Sequence, residues 1–277
     1  MNRLGRVLII SLIIAVIVVA FGTSFFFWIK RPVTGKGHEV VRNFPFASLK
    51  SLDEWDERAL VRKETKYVLT NNDGRKCVKA FSEDSASALY VKQRLSHERP
   101  IFVSWDWKAE KFPLRRDEET LEEKDEFDFV AQVYVIFDAR YFLNSKAIQY
   151  VWTEKLPAGT VATSPYTKNV KMLVLESGSA NEWKHAERDI QKDYRDLFGE
   201  DLGKDVVAVS FMTDSDSTDS SAAAYYGNIS IGYLETPEGG MEKDKKTGEN
   251  ELFSFIYKVP FLKKFLNARE RGQPSDT

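Results

Sequence analysis

The sequence predicts an all-β fold: a two-sheet antiparallel sandwich, jelly-roll-like, with one covering helix, preceded by a single transmembrane helix. Three observations predict it. Apolar residues alternate with polar ones in many short runs, the period of half-buried strands. Only one stretch carries helical spacing instead. And residues 7–29 form an uncharged run of Ile, Val, Leu, Phe and Ala, long enough at 1.5 Å rise per residue to span a hydrocarbon core of about 30 Å.

That run makes residues 1–30 an anchor. A cleaved secretory signal has a shorter apolar region of roughly 7–15 residues and small residues at its end. Here the run continues through Phe25, Phe26, Phe27 and Trp28, and Trp28 suits the aromatic belt at an interface. Arg3 and Arg6 precede the run and Lys30, Arg31 and Lys36 follow it, so flanking charge sets no strong orientation. A long folded domain behind a first apolar segment is expected on the periplasmic or extracytoplasmic side.

Residues 31–42, with Pro32, Gly35 and Gly37 and no periodicity, read as a linker. The sandwich occupies 43–234. Short strands are expected at 67–70, 77–81 and 86–91. At 101–109, Ile101, Val103, Trp105, Trp107 and Ala109 share one face, and Ser104, Asp106 and Lys108 share the other. Phe127, Phe129, Ala131, Val133, Val135 and Phe137 form a second period-two row, and Ile148, Tyr150 and Trp152 a third. Strands follow at 170–176, 206–213 and 225–233. The run 206–213 is apolar on both faces, which places it centrally. Between them, Trp183, Ile190, Tyr194, Leu197 and Phe198 fall at helical spacing and predict a helix over 181–198. Ser179 and Glu182 would form its capping box, and Gly199 would stop it.

Residues 235–250 are polar and Gly-rich and read as a mobile linker. Residues 251–277 mix aromatics with Lys258, Lys263, Lys264, Arg269 and Arg271. Such a tail either packs back on the domain or lies against anionic headgroups as a second membrane contact over 251–271.

Composition narrows the function. Among 277 residues, 40 Lys and Arg face 42 Asp and Glu, a net charge of -2, which removes the basic excess a nucleic-acid binder needs. Aromatics at 13% favour pleated, half-buried surfaces. Cys77 is the single cysteine, so no internal disulfide can form, and a lone thiol in an alternating run is expected to be buried structure. No Gly-x-Ser-x-Gly, phosphate loop or dinucleotide fingerprint occurs, and His38, His97 and His185 lack the i, i+4 partner of a zinc helix, which disfavours serine hydrolases and zinc enzymes.

The strongest polar cluster runs from Thr213 to Ser221, directly after an apolar strand. Asp214 and Asp216 with their hydroxyl neighbours offer hard oxygens to Ca²⁺, or acceptors to a sugar; a solvated loop is the bland alternative. Glu176 ends an apolar strand, and Asp128 interrupts an apolar run, where an acid must find a partner or shift its pKa. Trp105 and Trp107 lie on the face expected to be core. Trp152 and Tyr166, nearer strand ends, are the candidate stacking platforms, and Arg188 is the candidate cationic clamp.

Taken together, Asp128-Phe129, Val133-Tyr134-Val135, Tyr150-Val151-Trp152, Ser164-Pro165-Tyr166, Glu176-Ser177-Gly178, Arg188-Asp189, Asp193-Tyr194-Arg195, Phe198-Gly199 and Met212 through Asp216 resemble a bacterial family, domain of unknown function 3047. The resemblance covers roughly 44–233. The chain departs from the family's usual pattern at Phe127, Gln132 and Asn228, exchanges that argue against an intact shared catalytic site. The resemblance implies an exported domain with a sandwich similar to carbohydrate-binding modules, and it supplies no activity.

The sequence therefore predicts a membrane-anchored, envelope-facing sandwich that binds a polar ligand such as a glycan through Asp128, Trp152, Tyr166, Glu176, Arg188, Asp214 and Asp216. No cofactor is required, with Ca²⁺ at Asp214 and Asp216 as the candidate metal. A hydrolase acting on envelope polysaccharide and a non-catalytic scaffold are the competing expectations.

Overall fold

The computed structural model describes residues 37–48, 50–115, 118–139 and 145–235. The expected anchor, the polar linker and the basic-aromatic tail lie outside these residues. Among the described residues no helix is long and apolar enough to cross a membrane.

In chain order the elements are β1 (His38–Phe44), β2 (Asp56–Ala59), β3 (Lys66–Asn72), β4 (Arg75–Glu83), β5 (Ala86–Leu95), β6 (Ile101–Lys111) and β7 (Ala131–Phe137). There follow β8 (Ala147–Thr153), β9 (Val161–Thr163), β10 (Val170–Ser177), β11 (Lys184–Asp189), α1 (Ile190–Phe198), β12 (Val206–Asp214) and β13 (Ser221–Leu234). They build two sheets. One runs β11-β6-β13-β4-β3, with β1 also on β13, and the other runs β2-β5-β12-β7-β8-β10-β9. β13 is long enough to carry β4 against its first half, 221–226, and β1 against its second, 229–234. The fold is the expected all-β sandwich with one helix.

The core lies between the sheets, because each strand's alternation buries one set of side chains there. Ile101, Val103, Trp105, Trp107 and Ala109 are each fully buried, as their spacing predicts. They meet Tyr150 and Trp152 of the facing sheet, with Trp105 and Tyr150 ring centroids 5.3 Å apart and Trp107 and Trp152 5.5 Å apart. β12 is buried at all nine positions and lies between β5 and β7, the central place its two apolar faces require. Cys77 is buried and unbonded to sulfur, and burial pushes its thiol up.

Five expectations change. The sheets are not wholly antiparallel: β10 runs parallel to β8. The chain leaves β8, forms the edge strand β9, and returns as β10 between the two, so β8 and β10 must point the same way. The linker reading fails from His38 onward, because His38–Phe44 pairs with β13 as β1. Its period is broken by a register shift between Val40 and Arg42, which is why no alternation is legible.

The helix is half the expected length. Residues 184–189 form edge strand β11 against β6, and the N-cap is Asp189, whose side chain accepts from the Lys192 N–H at 3.0 Å. Ser179 and Asn181 have left-handed φ values of 53° and 68°, so no capping box forms. Gly199 does stop the helix, at φ 72°. Finally, the row from Phe127 to Phe137 is broken at Val130. Only Ala131–Phe137 is strand, whereas Phe127 and Phe129 pack with Leu121, Val151, Met172 and Val174 in a separate cluster. These last three side chains alternate with the core-facing Tyr150, Trp152 and Leu173, so the segment leading into β7 covers the outer face of the seven-stranded sheet. That placement carries Asp128 to the end of the sandwich where β12 finishes.

Candidate functional site

Three acids meet at this end. Asp214 is the last residue of β12 and Asp216 lies in the turn to β13, while Asp128 arrives from the covering segment. One carboxylate oxygen from each lies within 4.8 Å of the others. Asp128 and Asp214 are buried, and Asp216 is partly exposed.

Asp128 and Asp214 are held by firm donors. Asp128 closes the 215–220 turn: its Oδ1 accepts from the Ser217 N–H at 3.2 Å, and its Oδ2 accepts from the Thr218 N–H and Thr218 hydroxyl, both at 2.7 Å. Asp214 Oδ1 accepts from the Phe129 N–H and from Gln132 Nε2, both at 2.7 Å. Gln132 is itself fixed through its Oε1, which accepts from the Tyr134 hydroxyl and Gln149 Nε2 at 2.8 Å each. A serine cluster ties the turn to the β4–β5 corner, with Ser82 Oγ and Ser215 Oγ 2.6 Å apart and the Ser215 N–H on the Ser85 carbonyl at 3.1 Å. The covering segment is pinned by Arg115, whose guanidinium donates to the carbonyls of Glu126 and Asp128. Glu119 pairs with Arg115 at 3.1 Å and accepts the N–H groups of Glu154, Lys155 and Leu156 at 2.6–3.1 Å.

Crowding and burial raise all three acids. Burial is the largest cause at each. Asp214 is pushed well above the usual carboxylate range, with the Asp128 and Asp216 charges adding to the effect. Asp128 is raised as well, although the Thr218 and Ser217 donors and the Arg115 charge oppose it. Asp216 is pushed up to about 7, with Asp128 and Asp84 contributing after burial. The cluster therefore holds its protons to higher pH than free carboxylates do. Arg115 is committed to Glu119, and among the described residues no lysine or arginine forms an ion pair with any of the three acids.

Of the predicted site residues, Asp128, Asp214 and Asp216 come together, and Tyr166 stands beside them. Its hydroxyl is pushed up to about 12 by burial and then by the charges of Asp216, Asp214 and Asp128, against a bond with Ser217. Its ring is edge-on to Phe127, centroids 5.3 Å apart. The other three do not join. Trp152 is fully buried and donates its Nε1–H to the Gly178 carbonyl at 2.7 Å, so it is core and no platform. Alternation already puts it with Tyr150. Arg188 grips Asp193, Nε to Oδ2 at 2.7 Å, and the Tyr150 hydroxyl donates to the same carboxylate at 2.7 Å; it is a buried strut under α1 and no clamp. Glu176 lies on β10 opposite Trp152, outside the group of three.

The polar run 213–221 is not a solvated loop either. Ser215 is fully buried and Thr218 is 5% exposed, because their hydroxyls serve the two turns. Thr218 lies within the polar cluster the sequence singles out, whereas Gln132 and Arg115 are members of the site that were not among its candidates. A buried amide inside an otherwise apolar strand is the one available signal, at Gln132.

Residues 53–230 match the family described as protein of unknown function, DUF3047. The chain belongs to that family. No curated protein sequence matches this DUF3047 chain. Solved structures with a related outline include a family 11 carbohydrate-binding module of a cellulosomal cellulase from Clostridium thermocellum, at 9% identity and a TM-score of 0.39, covering 74% of this chain and 100% of that one. The xyloglucanase domain of a type three effector from Sinorhizobium fredii aligns at 10% identity and 0.39, over 65% and 92%. An adhesin domain of Lys-gingipain from Porphyromonas gingivalis aligns at 13% and 0.35, over 70% and 99%. Likeness at these values is loose and carries no argument about ligand or activity.

Proposed function

We propose that this DUF3047 chain is a membrane-anchored, envelope-facing binding protein whose sandwich end takes a hydroxyl-rich ligand, a glycan, at Asp128, Asp214 and Asp216. The observation that carries the reading is the convergence of three acids, from two distant segments, within 4.8 Å. Carboxylates accept the hydroxyl hydrogens of a polyol strongly, and the Tyr166 ring beside them offers an apolar face to a sugar. Anchoring rests on the uncharged run 7–29, and the tail 251–271 supplies a second contact with headgroups.

Ca²⁺ fits the same group. Oxygens around one Ca²⁺ at about 2.4 Å lie no more than about 4.8 Å apart, the spread seen here, and all are hard donors. Asp128, Asp214 and Asp216 would hold the ion, with hydroxyls, carbonyls and water completing its shell of six to eight. A bound divalent ion supplies the positive charge that lets three acids ionise together.

A second reading, hydrolysis of envelope polysaccharide, is favoured by Asp216. A partly exposed carboxyl pushed up to about 7 beside other acids has the pKa a general acid needs. Thermal unfolding of the full chain with Ca²⁺, a glycan panel and both together separates the readings. Binding at a hundredfold excess over the dissociation constant stabilises by roughly 2.7 kcal/mol. A shift that disappears in Asp214→Ala supports the binding site, release of reducing ends lost in Asp216→Asn supports hydrolysis, and no shift with any addition refutes both.

A further inference from the structure

Each sheet ends in edge strands whose outer backbone N–H and C=O groups lack a neighbour, and proteins guard such edges with charge, bulges or brevity. Among the described residues, four of the edges are guarded. β11 carries Lys184, His185, Glu187, Arg188 and Asp189, and β2 carries Asp56, Glu57 and Arg58. β1 is broken by its register shift, and β9 has three residues. β3 has none of these devices. Its register against β4 is unbroken from Lys66 to Asn72, and after Lys66 the strand holds neither charge nor proline.

The hairpin turn decides which groups of β3 point outward. Asp73 and Gly74 link Asn72 to Arg75 with φ values of 53° and 78°, the two left-handed positions of a type I′ turn. Such a turn makes Asn72 and Arg75 a hydrogen-bonded pair, and bonded pairs recur at every second residue of an antiparallel ladder. Thr70, Val68 and Lys66 therefore turn their backbone groups to β4, whereas Tyr67, Leu69 and Asn71 turn theirs outward. Among the described residues no hydrogen bond reaches those outward groups. The side chains sort by face: Tyr67 and Leu69 pack against the core, while Val68 stands 58% exposed on the outer face.

This strand fits a copy of itself. With Leu69 on a two-fold axis, antiparallel pairing sets Leu69 against Leu69, Tyr67 against Asn71, Val68 against Thr70 and Lys66 against Asn72 of the second copy. The outward groups of Tyr67, Leu69 and Asn71 then exchange about six hydrogen bonds. Val68 and Thr70 become a cross-strand pair of β-branched side chains, a unit of sheet stabilisation. Charge agrees as well. Lys66, the one charge of the strand, falls beside Asp73 of the second copy, a side chain that is 60% exposed. A two-fold interface requires this self-complementarity, residue i on j and j on i.

We propose that β3 is a dimerisation edge, on which a second copy of this chain adds its own β3 antiparallel and joins the two six-stranded sheets into one. The proposal is independent of the anchor and of the carboxylate end.

The test is register-specific cross-linking of the full-length chain. Thr70 faces Cys77 across the hairpin, so every chain carries Cys77→Ala to prevent a disulfide within one copy. Val68→Cys chains, Thr70→Cys chains and an equal mixture of the two are oxidised mildly at one total concentration. The Val68–Thr70 pair has a Cα separation of about 4.5 Å, within the disulfide range of about 4.4–6.8 Å. Two copies of the same position lie two residues apart along the ladder, about 8 Å, which is too far to bridge. The mixture is therefore expected to give at least fivefold more covalent dimer than either chain alone. Asn71→Pro, which removes an outward N–H and spares the bonds to β4, is expected to lower that yield fivefold or more. Sedimentation of the unsubstituted full chain in detergent is expected to show dimers at rising concentration, and Val68→Lys, which guards the edge, is expected to return them to monomers. A mixture that cross-links no better than its components, or as well with Asn71→Pro, would overturn the proposed pairing. A chain that stays monomeric at every concentration, or a dimer that Val68→Lys leaves intact, would overturn it too.

Discussion

Replacing Asp216 with asparagine should stabilise the protein, and only above mildly acidic pH. In the fold the carboxyl sits at about 7, against about 3.9 in an unfolded chain. Between those values the folded state binds a proton that the unfolded state has lost, so stability falls as pH rises from about 4 to about 7. Three pKa units at 1.36 kcal/mol each give an upper bound of about 4 kcal/mol, and solvent screening of a partly exposed side chain reduces it to about 2. Asp128 and Asp214 are raised too, so the whole cluster works in one direction. The substituted asparagine carries no charge at any pH and keeps an acceptor oxygen. Urea unfolding in EDTA at pH 4, 6 and 8 measures the difference. The gain of Asp216→Asn over the parent should be near zero at pH 4 and about 2 kcal/mol at pH 8. No gain at pH 8, or an equal gain at pH 4, would show that the fold does not hold the Asp216 carboxyl above its unfolded value.

Two further outcomes follow from packing. A Cβ on Gly232 would collide with the Glu39 carbonyl oxygen and stand 2.9 Å from the Val41 nitrogen, so Gly232→Ala should force β1 off β13 and cost about 1–3 kcal/mol in the same urea assay; an unchanged midpoint would contradict the close approach. Asp193→Ala should leave Arg188 and Tyr150 buried without their shared acceptor and cost about 3–5 kcal/mol, with affinity at the carboxylate end unchanged in the folded fraction. A loss of ligand binding there would return Arg188 to the site.

Much of the sandwich is legible because alternation reports burial directly. β6 and β12 follow from side-chain pattern alone, since the core-facing row of β6 is apolar throughout and β12 is apolar on both faces. What escapes the pattern is set by pairing. β1 carries a bulge, β9 has three residues, and β11 is an edge strand whose polar residues imitate an exposed helix face next to Trp183 and Ile190. For the site, Asp128 and Asp214 are recognisable as acids in apolar surroundings, yet 86 positions of sequence separate them and spacing says nothing of their meeting. Trp152 and Arg188 mislead for a simpler reason. A tryptophan near a strand end and an arginine beside a helix look like ligand-binding groups until their partners, the Gly178 carbonyl and the Asp193 carboxylate, are seen.

The most direct test of the three acids as one cation-and-ligand site is proton release. Calorimetric titration of the full chain with Ca²⁺ at pH 7, repeated in buffers of different ionisation enthalpy, counts the protons expelled on binding, because a metal takes only the deprotonated carboxylates. Saturable binding that releases about one proton per ion, and that is lost in both Asp214→Ala and Asp128→Ala, is the predicted result. Binding without proton release, or binding that survives both substitutions, would contradict a shared carboxylate site.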